Sequence, residues 1–183
     1  LCTAVALALP VGRALGNATL FPCRLESPRS LPERHLETMT IRFILLVHKQ
    51  GQTRLASYNE IVPLEERRQI EGEIVRKCLT RSDKQCSFVE HRGAKVIYRR
   101  YASLYFLVGV DEHENELAMY EFIHCAVETL DRHFGNVCEL DIMFHLEKAH
   151  YVLDEMVANG AVLETNKAVV LDAATRYAAD NQR

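Results

Sequence analysis

The stretch that most restricts the fold is Ile41-Arg42-Phe43-Ile44-Leu45-Leu46-Val47-His48-Lys49. Side chains of a strand alternate between two faces. Here Phe43, Leu45 and Val47 fall on one face and Ile44 and Leu46 on the other, so both faces are apolar. That pattern suits a central strand in a sheet covered on both sides. Gln50-Gly51-Gln52 is a turn, and residues 53–58 read as a second strand. So short a link favours an antiparallel hairpin.

Two amphipathic helices supply the covers. Pro63 opens the first at a position where a missing N–H does no harm. Glu65 and Glu66 lie in its first turn, Lys77 and Arg81 in its last, as the helix dipole favours, and Ile70, Ile74, Val75, Cys78 and Leu79 form its apolar stripe. Residues 86–91 and 95–101 are strands about a turn at Arg92-Gly93, and residues 104–110 are a nearly continuous apolar strand. Asn115 can cap the second long helix, whose apolar positions run Met119, Phe122, Ile123, Ala126, Val127, Leu130 and Phe134 until Gly135 ends it. Short helices follow over about 139–145 and 147–157, with Asn159-Gly160 as the stop. The order β-β-α-β-β-β-α with short links predicts an α+β domain built on a mostly antiparallel sheet.

Composition narrows the function classes. With 48% hydrophobic and 26% charged residues, a chain of 183 can bury a real core. A net charge of -3 argues against a chain that lives by gripping nucleic acid. No apolar run approaches the ~20 residues of a membrane-spanning helix. The six cysteines contain no CxxC pair, which favours free thiols in a reducing compartment over zinc or a disulfide framework.

Residues 1–38 differ in character, with a short alanine-rich apolar run followed by scattered Pro, Ser, Arg and Gly. Met39, just before the first strand, is expected to be the natural start, with 1–38 a disordered or artefactual extension. Residues 39–160 form the domain, and 161–183, alanine-rich and weakly patterned, are expected to be a partly ordered tail.

Catalytic motifs do not emerge. His145 and His150 are five apart and do not share a helix face as an HExxH pair does. There is no G-x-S-x-G, P-loop or G-x-G-x-x-G. His124 and Cys125 are adjacent on a helix and point different ways, while Glu139 and Asp141 suit a helix start. Tyr98-Arg99-Arg100-Tyr101 mixes base and aromatic like an RNA-binding strand, but alternation sends Arg99 and Arg100 to opposite faces. Pattern alone therefore indicates a non-enzymatic interaction domain with no cofactor.

Several blocks resemble the small, or sigma, subunits of the heterotetrameric adaptor protein complexes. They are Ile41-Arg42-Phe43-Ile44-Leu45, Lys49 to Leu55, Phe88-Val89-Glu90, Tyr98 to Leu104, Glu121 to His124, Asn136 to Asp141, and Asp154-Glu155-Met156. The resemblance covers residues 41 to about 166. Within the family it is most similar to the sigma chains of adaptor complex four, through Lys49 to Arg54, Gln85 to Phe88, and Leu140 to Leu146. The resemblance implies a longin-like fold, a five-stranded antiparallel sheet between helices. It further implies a direct large-chain partner, epsilon in complex four, with beta and medium (mu) subunits completing a tetramer. That tetramer is recruited by an Arf-family GTPase to the cytosolic face of the trans-Golgi network, where it sorts cargo tails. Another longin-like trafficking protein, such as a coatomer small subunit or a SNARE regulatory domain, shares the fold but not both the Arg99-Arg100-Tyr101-Ala102 and Asn136 to Asp141 blocks. An enzyme of unrecognised type stays open as a second alternative.

Carried over residue by residue, the resemblance implies a pocket for acidic dileucine signals. Ala102, Leu104, Val127, Val137 and Ile142 would line it, Asn136 would stand at its lip, and Arg54 would meet the acidic end of the signal. Leu104, Val127 and Ile142 equally fit plain core positions by their patterns.

Overall fold

The structure, a computed structural model, describes residues 41–82 and 84–180. Met39 and the segment before it lie outside these residues, so the expected start and extension are not addressed. Five strands form one sheet: β1 (Ile41–His48), β2 (Thr53–Tyr58), β3 (Phe88–His91), β4 (Ala94–Tyr101) and β5 (Leu104–Asp111). Their order is β2-β1-β5-β4-β3, and every neighbouring pair is antiparallel. This is the expected five-stranded α+β architecture.

The sheet is buried on both faces, as the composition of β1 requires. On one face Phe43, Leu45, Val47, Val96 and Leu107 pack with Ile74, Val75 and Cys78 of α1 (Leu64–Leu79). On the other, Ile44, Leu46, Phe106, Val108 and Val110 meet Met119, Phe122, Ile123, Ala126 and Leu130 of α2 (Glu116–Phe134). Burial pushes the Cys78 thiol up to about 12, which leaves it a small apolar core residue. Cys86, Cys125 and Cys138 are also free thiols.

Local signals account for the element ends. Asn115 Oδ1 accepts from the Leu117 and Ala118 amides at 3.1 and 3.2 Å, satisfying donors that the first turn leaves open. Gly135, at φ 68°, closes α2 in the left-handed region. Arg92 and Gly93 both have positive φ (49° and 73°), the requirement of a tight two-residue hairpin between β3 and β4. Pro63 sits at the N-cap of α1, one place earlier than expected, and the cations of its last turn are Arg76 and Lys77; Arg81 lies beyond the helix.

The region after α2 departs further from expectation. It holds α3 (Glu139–Phe144), α4 (Leu146–Met156), β6 (Val157–Ala158), β7 (Ala161–Val162) and α5 (Lys167–Asp180). Asn159 and Gly160, at φ 50° and 78°, are the turn of the β6–β7 hairpin, where only a helix stop was foreseen. The Gly160 carbonyl also accepts from the Ile41 amide at 2.7 Å, fastening this hairpin to the start of β1. Residues 161–180, expected as part of a partly ordered tail, carry β7 and α5. Helix α5 packs on α2 and α4, with Val170 and Ala174, one turn apart, at 1% and 0% exposure. Alanine gives little contrast between inner and outer faces, so the periodicity of α5 is faint in the sequence.

Candidate functional site

A cleft of about 520 Å³ opens where α2, the start of β5 and the turn into α3 converge. Its floor is core material: Leu46, Phe106, Leu130 and Ile142 are each 2% exposed and line it from β1, β5, α2 and α3. Leu46 and Phe106 are direct partners in the β1–β5 ladder, which sets them side by side on the α2 face. Leu104, Val127 and Val137 form the half-buried upper wall, and Ala102 the exposed edge. The geometry thus brings Ala102, Leu104, Val127, Val137 and Ile142 into one cleft.

Local conformation explains the convergence. β4 and β5 join through a tight turn in which Ala102 has φ 49°, a strained region for a residue with a Cβ. The turn from α2 into α3 is organised by Asp131. Its carbonyl accepts from the Gly135 and Asn136 amides at 2.9 and 3.2 Å, and its Oδ1 accepts from the Val137 amide at 2.9 Å. This fixes Val137 over the cleft. Asn136 itself is exposed at φ 69° and does not line the cleft; it holds the turn beside Val137. At the start of α3 the Asp141 carboxylate accepts from the Cys138 amide at 2.8 Å, and the Cys138 side chain first and this amide second hold its pKa below the usual carboxylate range.

The rim is polar and internally paired. Arg54 lies outside the lining, but its Nε donates to Glu139 Oε1 at 2.8 Å, and His48 Nε2 stands 3.4 Å from Oε2 of the same carboxylate. An anion reaching Arg54 must therefore compete with Glu139. On α2, His124 stacks on Tyr101, with its Nδ1 3.3 Å from the tyrosine hydroxyl and its Nε2 3.6 Å from Glu128. Glu128 pairs in turn with Lys167 of α5, whose hydrogen bond and charge hold the carboxyl pKa low. Burial moves the Tyr101 hydroxyl up.

Residue-by-residue transfer did not include Leu46, Phe106 or the carboxylates of the rim. Strand parity could have found the first two, since they share a face with Ile44 and Leu104. Nothing in the spacing announces that Glu139 meets Arg54, 85 residues away. Among the described residues, no group of three His, Cys, Asp or Glu side chains is placed to hold a metal ion. No described helix is long and apolar enough to cross a membrane. The arginines of the Tyr98–Tyr101 block do part to opposite faces: Arg99 lies over Tyr120 at 4.7 Å and Arg100 over Tyr105 at 5.9 Å. An open cleft with an apolar floor and a paired polar rim is suited to aliphatic side chains of an extended peptide.

The family model for the clathrin adaptor complex small chain matches residues 40–180. The sequence is 72% identical over 133 residues to the AP-4 complex subunit sigma of Arabidopsis thaliana, covering 73% of this chain and 93% of that protein. It is 55% identical over 131 residues to the AP-4 complex subunit sigma-1 of Homo sapiens, covering 72% and 91%. Among structures, a chain of a homology model of the full-length AP-3 complex in a stretched open conformation aligns with a TM-score of 0.63 at 29% identity, over 78% of this chain and 96% of that one.

Proposed function

Because the chain belongs to the clathrin adaptor complex small chain family, a family of trafficking adaptor subunits without enzymatic activity, we propose that it is the sigma subunit of an AP-4-type complex and offers the cleft to dileucine cargo signals. Its direct partner would be an epsilon-type large chain, with beta and medium subunits completing the assembly. The complex would act on the cytosolic face of trans-Golgi membranes, recruited by an Arf-family GTPase. The identity to two AP-4 sigma chains supports the choice of complex.

One observation carries the cargo reading: the cleft of about 520 Å³ gathers Ala102, Leu104, Val127, Val137 and Ile142 from four separate stretches of chain. Each leucine-sized side chain seated there gains roughly 1.5–3 kcal/mol by burial. Ordering a flexible tail opposes that gain, so one tail binds weakly and a membrane studded with tails binds well. Arg54 supplies the acidic contact by exchanging Glu139 for a carboxylate of the signal, a salt-sensitive step.

The test is retention of the assembled complex on immobilised tails bearing an acidic dileucine signal, with a Val127→Asp variant beside the parent. A charge on the cleft wall should reduce retention at least tenfold, while tails with both leucines changed to alanine bind neither protein. Equal retention of parent and variant overturns the site. Affinity capture followed by mass spectrometry tests the partners, and recovery of another complex's large chain in place of epsilon overturns the assignment to AP-4.

A further inference from the structure

The carboxylates that border the cleft oppose an acidic signal. Glu128, Asp131 and Glu139 are among its lining residues, and no lysine or arginine is among the described ones. Two of these acids are engaged elsewhere in the chain, Glu128 by Lys167 and Asp131 by the Val137 amide. The third, Glu139, bonds to the very cation that the acidic end of a signal needs.

Glu139 is the first residue of α3, and its two oxygens are held by different groups. Oε1 accepts from Arg54 Nε of β2 at 2.8 Å. Oε2 stands 3.4 Å from His48 Nε2, at the end of β1. The tautomer of His48 follows from its other nitrogen. The Gln50 amide donates to Nδ1 at 3.3 Å, so the neutral ring carries its proton on Nε2, facing the carboxylate. His48 is buried and the other two side chains half-buried, so this carboxylate is held more firmly than one in a surface ion pair. Of the three, Glu139 alone lines the cleft. The chain's own acid therefore stands on the cleft side of Arg54.

We infer that Glu139 is an internal stand-in for the acidic residue of the signal and determines how much that residue contributes to selection. The inference rests on the cargo reading above and adds a specificity-determining residue to it. An incoming carboxylate exchanges one ion pair at Arg54 for another, so its net gain is small and the leucines carry most of the binding. His48 offers the displaced Glu139 carboxylate a second anchor, which keeps it close enough to repel the acid that replaced it. Specificity is a difference of affinities, and a built-in repulsion of this kind narrows the difference between acidic and neutral tails. With the charge of Glu139 removed, Arg54 is open to the signal and one opposing carboxylate is gone.

The test uses the assembled complex at constant ionic strength and two immobilised tails. One bears an acidic dileucine signal, and the other has its acidic residue changed to glutamine. The ratio of the two affinities is measured for the parent, for Glu139→Gln and for Glu66→Gln. The last removes the same charge from the exposed first turn of α1, across the sheet from α2. Glu139→Gln should raise the acidic-to-neutral ratio at least threefold by tightening the acidic tail, and Glu66→Gln should leave it unchanged. Adding Arg54→Gln to Glu139→Gln should abolish the gain, since the gain runs through the guanidinium. Glu139→Ala serves in the same way if the glutamine variant does not assemble. A ratio that stays level or falls overturns the inference, because Glu139 then orients Arg54 and does not compete for it. Tails with both leucines changed to alanine separate this failure from a failure of the cargo reading. If those tails are retained as well as the unaltered ones, the cargo reading falls and the inference falls with it. If retention needs the leucines and the ratio does not rise, the inference alone falls.

Discussion

Gly109 shows how tightly single positions are fixed. It faces Phe43 directly in the β1–β5 ladder, and a Cβ there would stand 2.2 Å from Phe43 Cζ. The ring cannot step aside freely, because it is 6% exposed and tilted against Tyr58 at 5.7 Å. Gly109→Ala should therefore cost about 1–3 kcal/mol through forced displacement of the ring. Urea denaturation would show this as a lower midpoint, and an unchanged midpoint would contradict the packing. His91 makes a prediction of another kind. It is 5% exposed, with Lys77 Nζ 3.3 Å from Nδ1 and Glu73 3.4 Å from Nε2. Burial and, after it, the charge of Lys77 lower its pKa, and Arg92 adds to this while Glu73 opposes it. The unfolded chain therefore takes up a proton first as pH falls, from about 6.5 downward. The stability tied to neutral His91 is complete above that pH and is lost as pH falls through the lower folded value. A His91→Gln variant should show a shallower decline of unfolding midpoint between pH 7 and 5; parallel declines would remove His91 as the cause.

At the scale of elements, α5 is the least anticipated part of the structure and the easiest to probe. Val170 is 1% exposed and its neighbour Val169 51%, so two chemically identical truncations should differ. Val170→Ala removes buried groups worth about 0.8 kcal/mol per methylene and leaves a cavity, for a total of roughly 2 kcal/mol. Val169→Ala should stay within about 0.5 kcal/mol of the parent. Equal costs, measured by urea denaturation of the two variants, would mean that α5 is not docked through this face. The helix also reaches the cleft rim, because Lys167 at its start holds the carboxylate of Glu128. The long elements were legible in advance for a plain reason: α2 and β1 carry strong apolar contrast in their own periods. The alanines of α5 and the two-residue strands β6 and β7 carry almost none, and form because the rest of the domain offers them a surface.

At the scale of the molecule, the feature awaiting an explanation is apolar surface. Leu140, Met143, Phe144 and Leu146, on α3 and the start of α4, are 56%, 43%, 74% and 38% exposed. A contiguous exposed patch of this kind marks a surface that a partner covers. Produced alone, the chain should be largely insoluble, and co-production with its large adaptin should rescue it. Phe144→Ser should raise the solubility of the lone chain and lower co-purification of the large subunit. A parent that is monodisperse by itself would remove the argument for a covering partner.

Sequence by itself determined the faces: which residues of β1, α1 and α2 turn inward follows from periods of two and 3.6 residues, and those periods are local. It also carried the family, through blocks spread over most of the domain. Which inward-facing residues are filled core and which border a cleft was decided only by the tertiary structure. Ile142 and Met156 are buried alike, yet Ile142 lines the cleft and Met156 does not. The difference is where the turn held by Asp131 sets α3 across the cleft from β5, a matter of distance between remote segments. The same is true of Arg54, whose partner Glu139 was fixed by the folding of the chain and by no pattern along it.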